Sequence, residues 1–326
     1  MPSLRASLEN EQPLPVQFLA RPGWEKPLSV RIVPPPPVRP AFLTHPRLRR
    51  ASPMTHYAVG AALEAIGQDA DLIRSGALRL GIVACTLTGG ISYSRRFYEE
   101  ALQNPATASP MVFPETVFNS SASHLAAFLG SSVVNYTMVG DAGTFLQGLA
   151  LAAGWLDNST AEACVVIGAE ETDWTVADAL RLFDRRAVHT SGAGALYLKS
   201  GPGTAAPVEL SAVTDSFAAT RHPDRHVAAR KMRAQLPANA PEELLCVSER
   251  GQSAWKDWTG KVWAPKEILG EAFAASAAWN CAAACDAIQR DRYPAANVSI
   301  TGANVQAIAA RFVNPNFLKT QEGLSS

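Results

Sequence analysis

Hydrophobic and polar positions switch between two periods along most of the chain. From Met54, MTHYAVGAALEAIGQDADLI places apolar residues at helical spacing. SYSRRFYEEALQN and SASHLAAFLG repeat that spacing in shorter amphipathic helices, the second closed by Gly130 as a C-cap glycine. LRLGIVACTLTGG is an apolar run ending in glycines, which predicts a buried strand and a tight turn. SVVNYTMVGDAG predicts a strand running into a turn, and the small-residue helix TFLQGLALAAGWLDN follows at once. EACVVIGAEE and GAGALYLKSG are further strands. EAFAASAAWNCAAACDAIQRD is a long alanine-rich helix almost free of charge, so it is expected to be buried. ANVSITGANVQAIAARFV closes the pattern as strand, glycine turn and strand. Strands alternating with helices predict an α/β domain whose mixed sheet is covered by helices, and the order fits two similar strand–helix–strand halves.

Two regions depart from this pattern. Residues 1–52 form a Pro-rich extended N-terminal arm, with four prolines from Pro34 to Pro37 and Pro40 and Pro46 after them. Proline fixes φ and removes an amide donor, so this segment stays out of a sheet interior. Leu28 to Val33, just before the prolines, alternates and predicts an edge strand. The domain proper is therefore expected over 53–326. From about Asp215 to Lys266 the chain turns polar, with RHPDRHVAARKMRAQ and the tryptophan-bearing QSAWKDWTGKVW. Its basic cluster, Arg221 to Arg233, reads either as a solvated helix face or as a docking surface for an acidic partner.

Composition narrows the function. The 326 residues are 47% hydrophobic, enough for a large core, and 29 basic residues balance 29 acidic ones. That balance gives no global attraction to nucleic acid or an anionic membrane. Only 18% of residues are charged, which suits a surface partly covered by a partner. The five cysteines are scattered and form no CxxC pair, so neither a disulfide framework nor a zinc site is expected, and a reducing cytoplasm fits. Cys281 and Cys285 lie four apart on one helix face without a nearby histidine, and Cys85 and Cys164 sit in apolar runs; all four read as core residues. No signal-type segment opens the chain, and no stretch has the apolar length of a membrane span, so a cytoplasmic protein is expected.

Five segments, in order from about Ser52 to Val313, resemble the ketosynthase family of the thiolase superfamily. SPMVFPETVFNSSASHLAAFLG is similar to the segment preceding the nucleophile strand, above all in chain-length-factor subunits. NYTMVGDAGTFLQGLALAAGWL resembles the nucleophile elbow and its helix. FDRRAVHTSGAGALYL resembles the stretch with an Arg-Pro-Phe-Asp motif and a glycine-rich strand. LGEAFAASAAW is similar to the loop and helix carrying one catalytic histidine, and SITGANVQAIAARF to the closing glycine-rich loop with its asparagine. The resemblance implies a thiolase-like αβαβα sandwich with two mixed β-sheets. It also implies what the chemistry needs: a cysteine at a helix N-terminus to carry the acyl chain, and two histidines to assist decarboxylation and stabilise the enolate.

Each of those positions is altered. The family's Thr-Ala-Cys-Ser-Ser pattern falls on TMVGDAGTFL with Ala142 in place of the cysteine, between Asp141 and Gly143. A one-residue shift would offer Asp141, but a carboxylate is a poor thioester acceptor and repels malonate. The first histidine's Ala-His-Gly-Thr pattern falls on Glu249-Arg250-Gly251-Gln252, and the second's Gly-His-Thr-Glu-Ala-Ala pattern on Gly270 to Ala275, with Glu271 at the histidine. Arginine does not relay protons near neutral pH, and an Arg250–Glu271 ion pair is expected to fill the vestigial pocket. The closing loop retains Gly302 and Asn304 without the family's Gly-Phe-Gly-Gly gate.

Among the remaining polar residues, His189 lies where a family loop approaches the active site, and His124 reads as a satisfied core or interface histidine. Glu170, Glu171 and Asp173 read as a solvated turn rather than a general acid/base pair. Ketosynthases dimerise through the strand near the elbow, here about Val133 to Val139, which places Asn135, Thr137 and Val139 at the junction. The resemblance thus implies a non-catalytic subunit, without metal or cofactor, that forms a heterodimer with an active ketosynthase, serves an acyl carrier protein and shapes the acyl pocket, as in type II polyketide or aryl polyene pathways. A homodimeric acyl- or carrier-protein-binding scaffold and a malonyl decarboxylase are the competing readings.

Overall fold

The computed structural model describes residues 2–130, 133–201, 208–219, 224–238, 240–249, 253–301 and 306–316. Helix α1 (Pro2–Glu9) and strands β1 (Gln17–Leu19) and β2 (Leu28–Arg31) open the chain. There follow α2 (Pro53–Ile66), α3 (Ala70–Arg74), β3 (Leu80–Thr86), α4 (Ile91–Gln103), α5 (Ser120–Leu129), β4 (Val134–Val139), α6 (Gly143–Asp157) and β5 (Ala163–Glu170). The middle of the chain holds α7 (Trp174–Phe183), β6 (His189–Thr190), β7 (Gly192–Lys199), β8 (Glu209–Val213), β9 (Phe217–Ala218) and α8 (Asp224–Arg233). It ends with β10 (Leu244–Val247), β11 (Lys261–Trp263), α9 (Pro265–Leu269), α10 (Phe273–Gln289), β12 (Ala295–Thr301) and β13 (Gln306–Val313).

The first large sheet runs β4-β3-β5-β7, parallel except for antiparallel β7. The second runs β11-β10-β12-β13-β8, with β9 also on β13. Side chains on a strand alternate between faces, and the alternation sorts the core into layers. Val83, Cys85, Cys164 and Val166 of the first sheet meet Leu244, Cys246, Val298 and Ile308 of the second through α6 and α10, which fill the space between the sheets. The opposite residues of the first sheet, Ile82, Ala84, Val165 and Ile167, pack on α2 and α5. Those of the second, Leu245, Val247, Ala307 and Ala309, pack on α8 and Trp255. This is the expected αβαβα sandwich of two mixed sheets.

The sandwich explains the composition of α10. A helix packed between two sheets has no solvent face, so it is apolar all round. Small residues also allow close approach: a Cβ on Gly168 of β5 would lie 2.3 Å from the Ala274 carbonyl oxygen. The α5 helix ends as its sequence predicts, with Gly130 at φ 69°.

The arm is more ordered than its prolines suggest. Strand β2 is the middle strand of a third sheet, β1-β2-β6, not an edge. Leu28 and Val30 are fully buried against Ala177 of α7. Helix α1 docks through buried Leu8 and an Arg5–Asp286 ion pair at 2.6 Å onto α10. Prolines 34–37 themselves are exposed.

Candidate functional site

The elbow lies where β4 leaves the first sheet and α6 begins. Asp141 is buried, and its carboxylate accepts the Gly143 amide at 3.0 Å and the side-chain amide of Gln306. A carboxylate there satisfies an otherwise orphan amide at a helix start. Gln306, at the beginning of β13, also accepts hydrogen bonds from Gln147 at 3.1 Å and from the Ser216 hydroxyl. A Cβ at position 143 would come within 2.7 Å of the Gln306 amide, so glycine is what lets this side chain close over the helix tip. Ala142 contributes a methyl group packed on the central core. The helix tip therefore presents amides, a carboxylate and a methyl, and no nucleophile.

Glu271 and His189 are joined by backbone. The Thr190 amide donates to the Glu271 carbonyl at 2.8 Å, and the Glu271 amide to that of Val188 at 2.9 Å. The two side chains turn to different partners. Glu271 pairs with Lys266 at 2.7 Å and accepts the Phe273 amide at 2.8 Å. Burial works against the Lys266 ammonium, but the Glu271 and Glu249 carboxylates outweigh it and leave its pKa raised. Lys266 is thus the cation that the sequence reading missed; its signal was the five-residue spacing to Glu271, which spans the turn after α9. Arg250, the expected partner, lies outside the described residues, as do Gly302 and Asn304.

His189 is 1% exposed. Its Nδ1 faces the Thr172 hydroxyl at 3.2 Å, its Nε2 is buried without a partner, and its ring packs on Phe273 with centroids 5.7 Å apart. Burial pulls its pKa down to about 4, with only partial opposition from Asp173. It is a neutral, enclosed imidazole. The loop that covers it is tight: Phe273 sits at φ 41°, unfavourable for a bulky residue, and a Cβ on Gly270 would collide with the Thr190 hydroxyl at 2.0 Å.

The acidic cluster after β5 is not a solvated turn. Glu170, Glu171 and Asp173 are all buried. Glu170 accepts from the Leu87 amide, the Thr88 amide at 3.2 Å and the Thr88 hydroxyl at 2.6 Å. Glu171 accepts the Met54 amide at 3.0 Å and the Ser92 amide at 2.6 Å, which ties the starts of α2 and α4 together. Asp173 caps α7 through Thr175 and pairs with Arg95 at 2.9 Å. These carboxylates replace water as acceptors for backbone amides, and burial pushes Glu170 up to about 7 against its hydrogen bonds. The signal available in the sequence was a pair of glutamates ending a strand with no other polar residue.

The described cysteines are free and form no metal cluster with other residues. His124 bonds Glu115 at 2.6 Å, and His56 bonds the Leu48 carbonyl at 2.7 Å. Strand β4 is the edge of its sheet. Asn135 and Val139 are exposed and Thr137 half-buried, and Val133, Tyr136 and Val139 each leave about half of their surface to solvent. Met111, Phe113 and Phe118, leading into α5 beside β4, are exposed as well.

No protein-family model and no curated protein matches the sequence. Solved structures do match the fold. An ishigamide ketosynthase/chain length factor aligns with a TM-score of 0.77 at 17% identity, over 96% of this chain and 94% of that one. A β-ketoacyl synthase from Burkholderia phymatum aligns with a TM-score of 0.74 at 14% identity, over 95% and 94%. A ketosynthase in complex with its chain length factor from Xenorhabdus doucetiae aligns with a TM-score of 0.72 at 13% identity, over 96% and 92%. The sandwich of two mixed sheets around α6 and α10 is thus the fold of ketosynthases and chain length factors.

Proposed function

We propose that this chain is a non-catalytic, chain-length-factor-type subunit that pairs with an active ketosynthase in acyl-carrier-protein-dependent synthesis of a fatty-acid or polyketide chain. The observation that carries the reading is the elbow. Ala142 offers no sulfur, and Asp141 is spent on the Gly143 amide and Gln306. Condensation needs a thiolate there and imidazoles facing it. In this reading Glu271 stands in place of the second histidine, and Lys266 pairs with it at 2.7 Å.

What remains is a complete sandwich with an unpartnered apolar edge. Asn135, Thr137 and Val139 on β4 make the junction in this reading, and the ketosynthase supplies the next strand. The exposed side chains of Met111, Phe113 and Phe118 flank that edge and are the groups placed to reach the partner's acyl pocket and set its depth. Cytoplasmic placement follows from the carrier protein it serves. No helix among the described residues is long and apolar enough to cross a membrane.

Co-expression with a ketosynthase from the same gene neighbourhood tests the reading. The expected product is a one-to-one heterodimer that extends a carrier-bound acyl chain, whereas this chain alone forms no acyl-enzyme. A stable homodimer that refuses the ketosynthase, or malonyl turnover by the isolated chain, would overturn it.

A further inference from the structure

Helix α1 is held by charge more than by packing. Of its side chains from Arg5 to Glu9, Leu8 alone is buried, where it joins the central core. Arg5 makes a two-pronged pair with Asp286 of α10, Nε to Oδ2 at 3.0 Å and Nη2 to Oδ1 at 2.6 Å. Arg290 donates to Asp286 and to Glu9, both at 3.1 Å, and Arg292 donates to Glu9 at 2.5 Å. The result is a continuous ladder, Arg5–Asp286–Arg290–Glu9–Arg292, between α1 and the end of α10. Its side chains keep between 14% and 41% of their surface in solvent, so added ions reach them. The packing beneath is loose: a cavity of about 10 Å³, the size of one water site, remains between Leu8, Trp263 and Ala283.

Two features favour release. Eight residues are too few for a helix to persist in water without tertiary support. The turn that ends it places Glu11 at φ 51°, a left-handed conformation disfavoured for a residue with a side chain. Beyond the ladder the arm runs exposed from Asn10 to Val16. It is stitched down there by Glu11 on Lys261 at 3.3 Å and by the Leu14 amide on the Ile268 carbonyl at 3.0 Å. Ile268 belongs to α9, whose Lys266 holds Glu271 at 2.7 Å. The Leu14 carbonyl in turn accepts the Arg31 guanidinium at 2.8 Å, and a Cβ on Gly270 would stand 2.8 Å from that same guanidinium. The arm thus bears on α9 and on the turn that carries Glu271.

We propose that α1 is an ionic latch on a strap, Pro2 to Val16, that fastens α9 and so fixes the Lys266–Glu271 pair, and that rising ionic strength opens it. In the open form α1 unwinds and Leu14 leaves Ile268. Helix α9 then keeps the Thr190 hydroxyl on its Leu269 carbonyl at 2.8 Å but loses its outer restraint. The ladder gives the motion its sign. Surface ion pairs weaken in salt, whereas an apolar clasp would not. The inference concerns this chain alone and does not depend on a ketosynthase partner.

The test is hydrogen–deuterium exchange of the full chain, read in peptides covering α1, α9 with the Glu271 turn and, as an internal reference, α6. Raising salt from about 0.01 M to about 1 M shortens the reach of a charge from about 30 Å to about 3 Å. Exchange in the α1 and α9 peptides is expected to accelerate together, by at least about tenfold, while α6 stays constant. Arg5→Glu is expected to do the same at low salt, and Arg5→Lys to behave nearly as wild type. The salt series on the wild-type chain carries the test even where Arg5→Glu does not fold. Exchange in α1 that ignores salt would overturn the latch. Acceleration of α1 alone would overturn its hold on α9. Acceleration that includes α6 would mark loosening of the whole domain and overturn both. None of these outcomes touches the proposed function, because no partner enters the measurement.

Discussion

Charging the β4 edge is the sharpest test of the proposed pairing with a ketosynthase. Val133, Tyr136 and Val139 leave 48%, 55% and 51% of their surfaces in solvent. Complete burial of such side chains is worth about 1.5–3 kcal/mol each, so covering the exposed halves contributes roughly 1 kcal/mol per residue. Tyr136→Asp removes that share and also forces a carboxylate into a covered strand junction. An unpaired buried charge costs several kcal/mol. Together the two effects amount to about 4 kcal/mol, a weakening near 10³-fold at 1.4 kcal/mol per decade. The isolated subunit loses little, since Tyr136 is already half in water, and its thermal unfolding is expected to shift by only a few degrees. Sedimentation equilibrium of the variant with its ketosynthase reads the association constant directly. Wild-type affinity in the variant would refute the assignment of β4 to the interface. A large loss of monomer stability would refute the claim that this edge is packed by a partner rather than by its own chain.

Two further predictions concern buried charge. Arg311 on β13 makes a bidentate pair with Glu243 at 2.6 and 2.8 Å, and Asn297 donates to the same carboxylate at 3.2 Å. Arg311→Met strands Glu243 and is expected to cost about 3–5 kcal/mol, visible in urea unfolding, whereas Arg311→Met/Glu243→Met recovers most of it. Glu170 has its pKa raised from 4.5 to about 7 by burial. The folded state then holds the proton more tightly than the unfolded chain, so this group's contribution is full below pH 4.5 and is lost as pH rises through 7. Relative to wild type, Glu170→Gln should therefore gain stability by up to about 3 kcal/mol between pH 4.5 and 7.5 in urea titrations; a constant difference across that range would refute the assignment.

The layers of the fold were legible because they depend on local period. The alternation of Ile82 and Ala84 with Val83 and Cys85 on β3 already divides an outer face from an inner one, and the uncharged length of α10 already demands burial on all sides. The third sheet was not legible in the same way. Its strands are two to four residues long, too short for a period, and β2 finds β6 across more than 150 residues of intervening chain. Similarly, the sequence shows alanine at 142, where the resemblance expects a cysteine, but not what closes the helix tip, because Gln306 lies 165 residues from Asp141. The acidic cluster misled for a related reason. Carboxylates are usually solvated, and nothing in GAEETDW shows that amides from Leu87, Thr88, Ser92 and Met54 converge on them.

An elbow read with Ala142 in place of the cysteine raises the question whether another thiol stands at the helix tip. Cys85 comes nearest in bonding terms: its Sγ contacts the Thr144 carbonyl at 3.6 Å, in the first turn of α6. It approaches from the wrong side. Cys85 lies on the inner face of β3, 1% exposed, and a Cβ on Gly148 would stand 2.8 Å from its sulfur, so it is wedged under the helix rather than placed at its tip. The carbonyl it faces accepts a hydrogen bond from the thiol and disfavours thiolate. Burial and the nearby Glu170 carboxylate push its pKa far up. A helix terminus activates a cysteine only where its amides point at the sulfur. Here the Gly143 amide is taken by the Asp141 carboxylate, whose own second partner, Gln306, comes from the second sheet. The same contact that closes the start of α6 thus joins the first sheet's side of the sandwich to β13 of the second. The start of α6 is thereby a structural joint, which is what the proposed non-catalytic subunit requires of it.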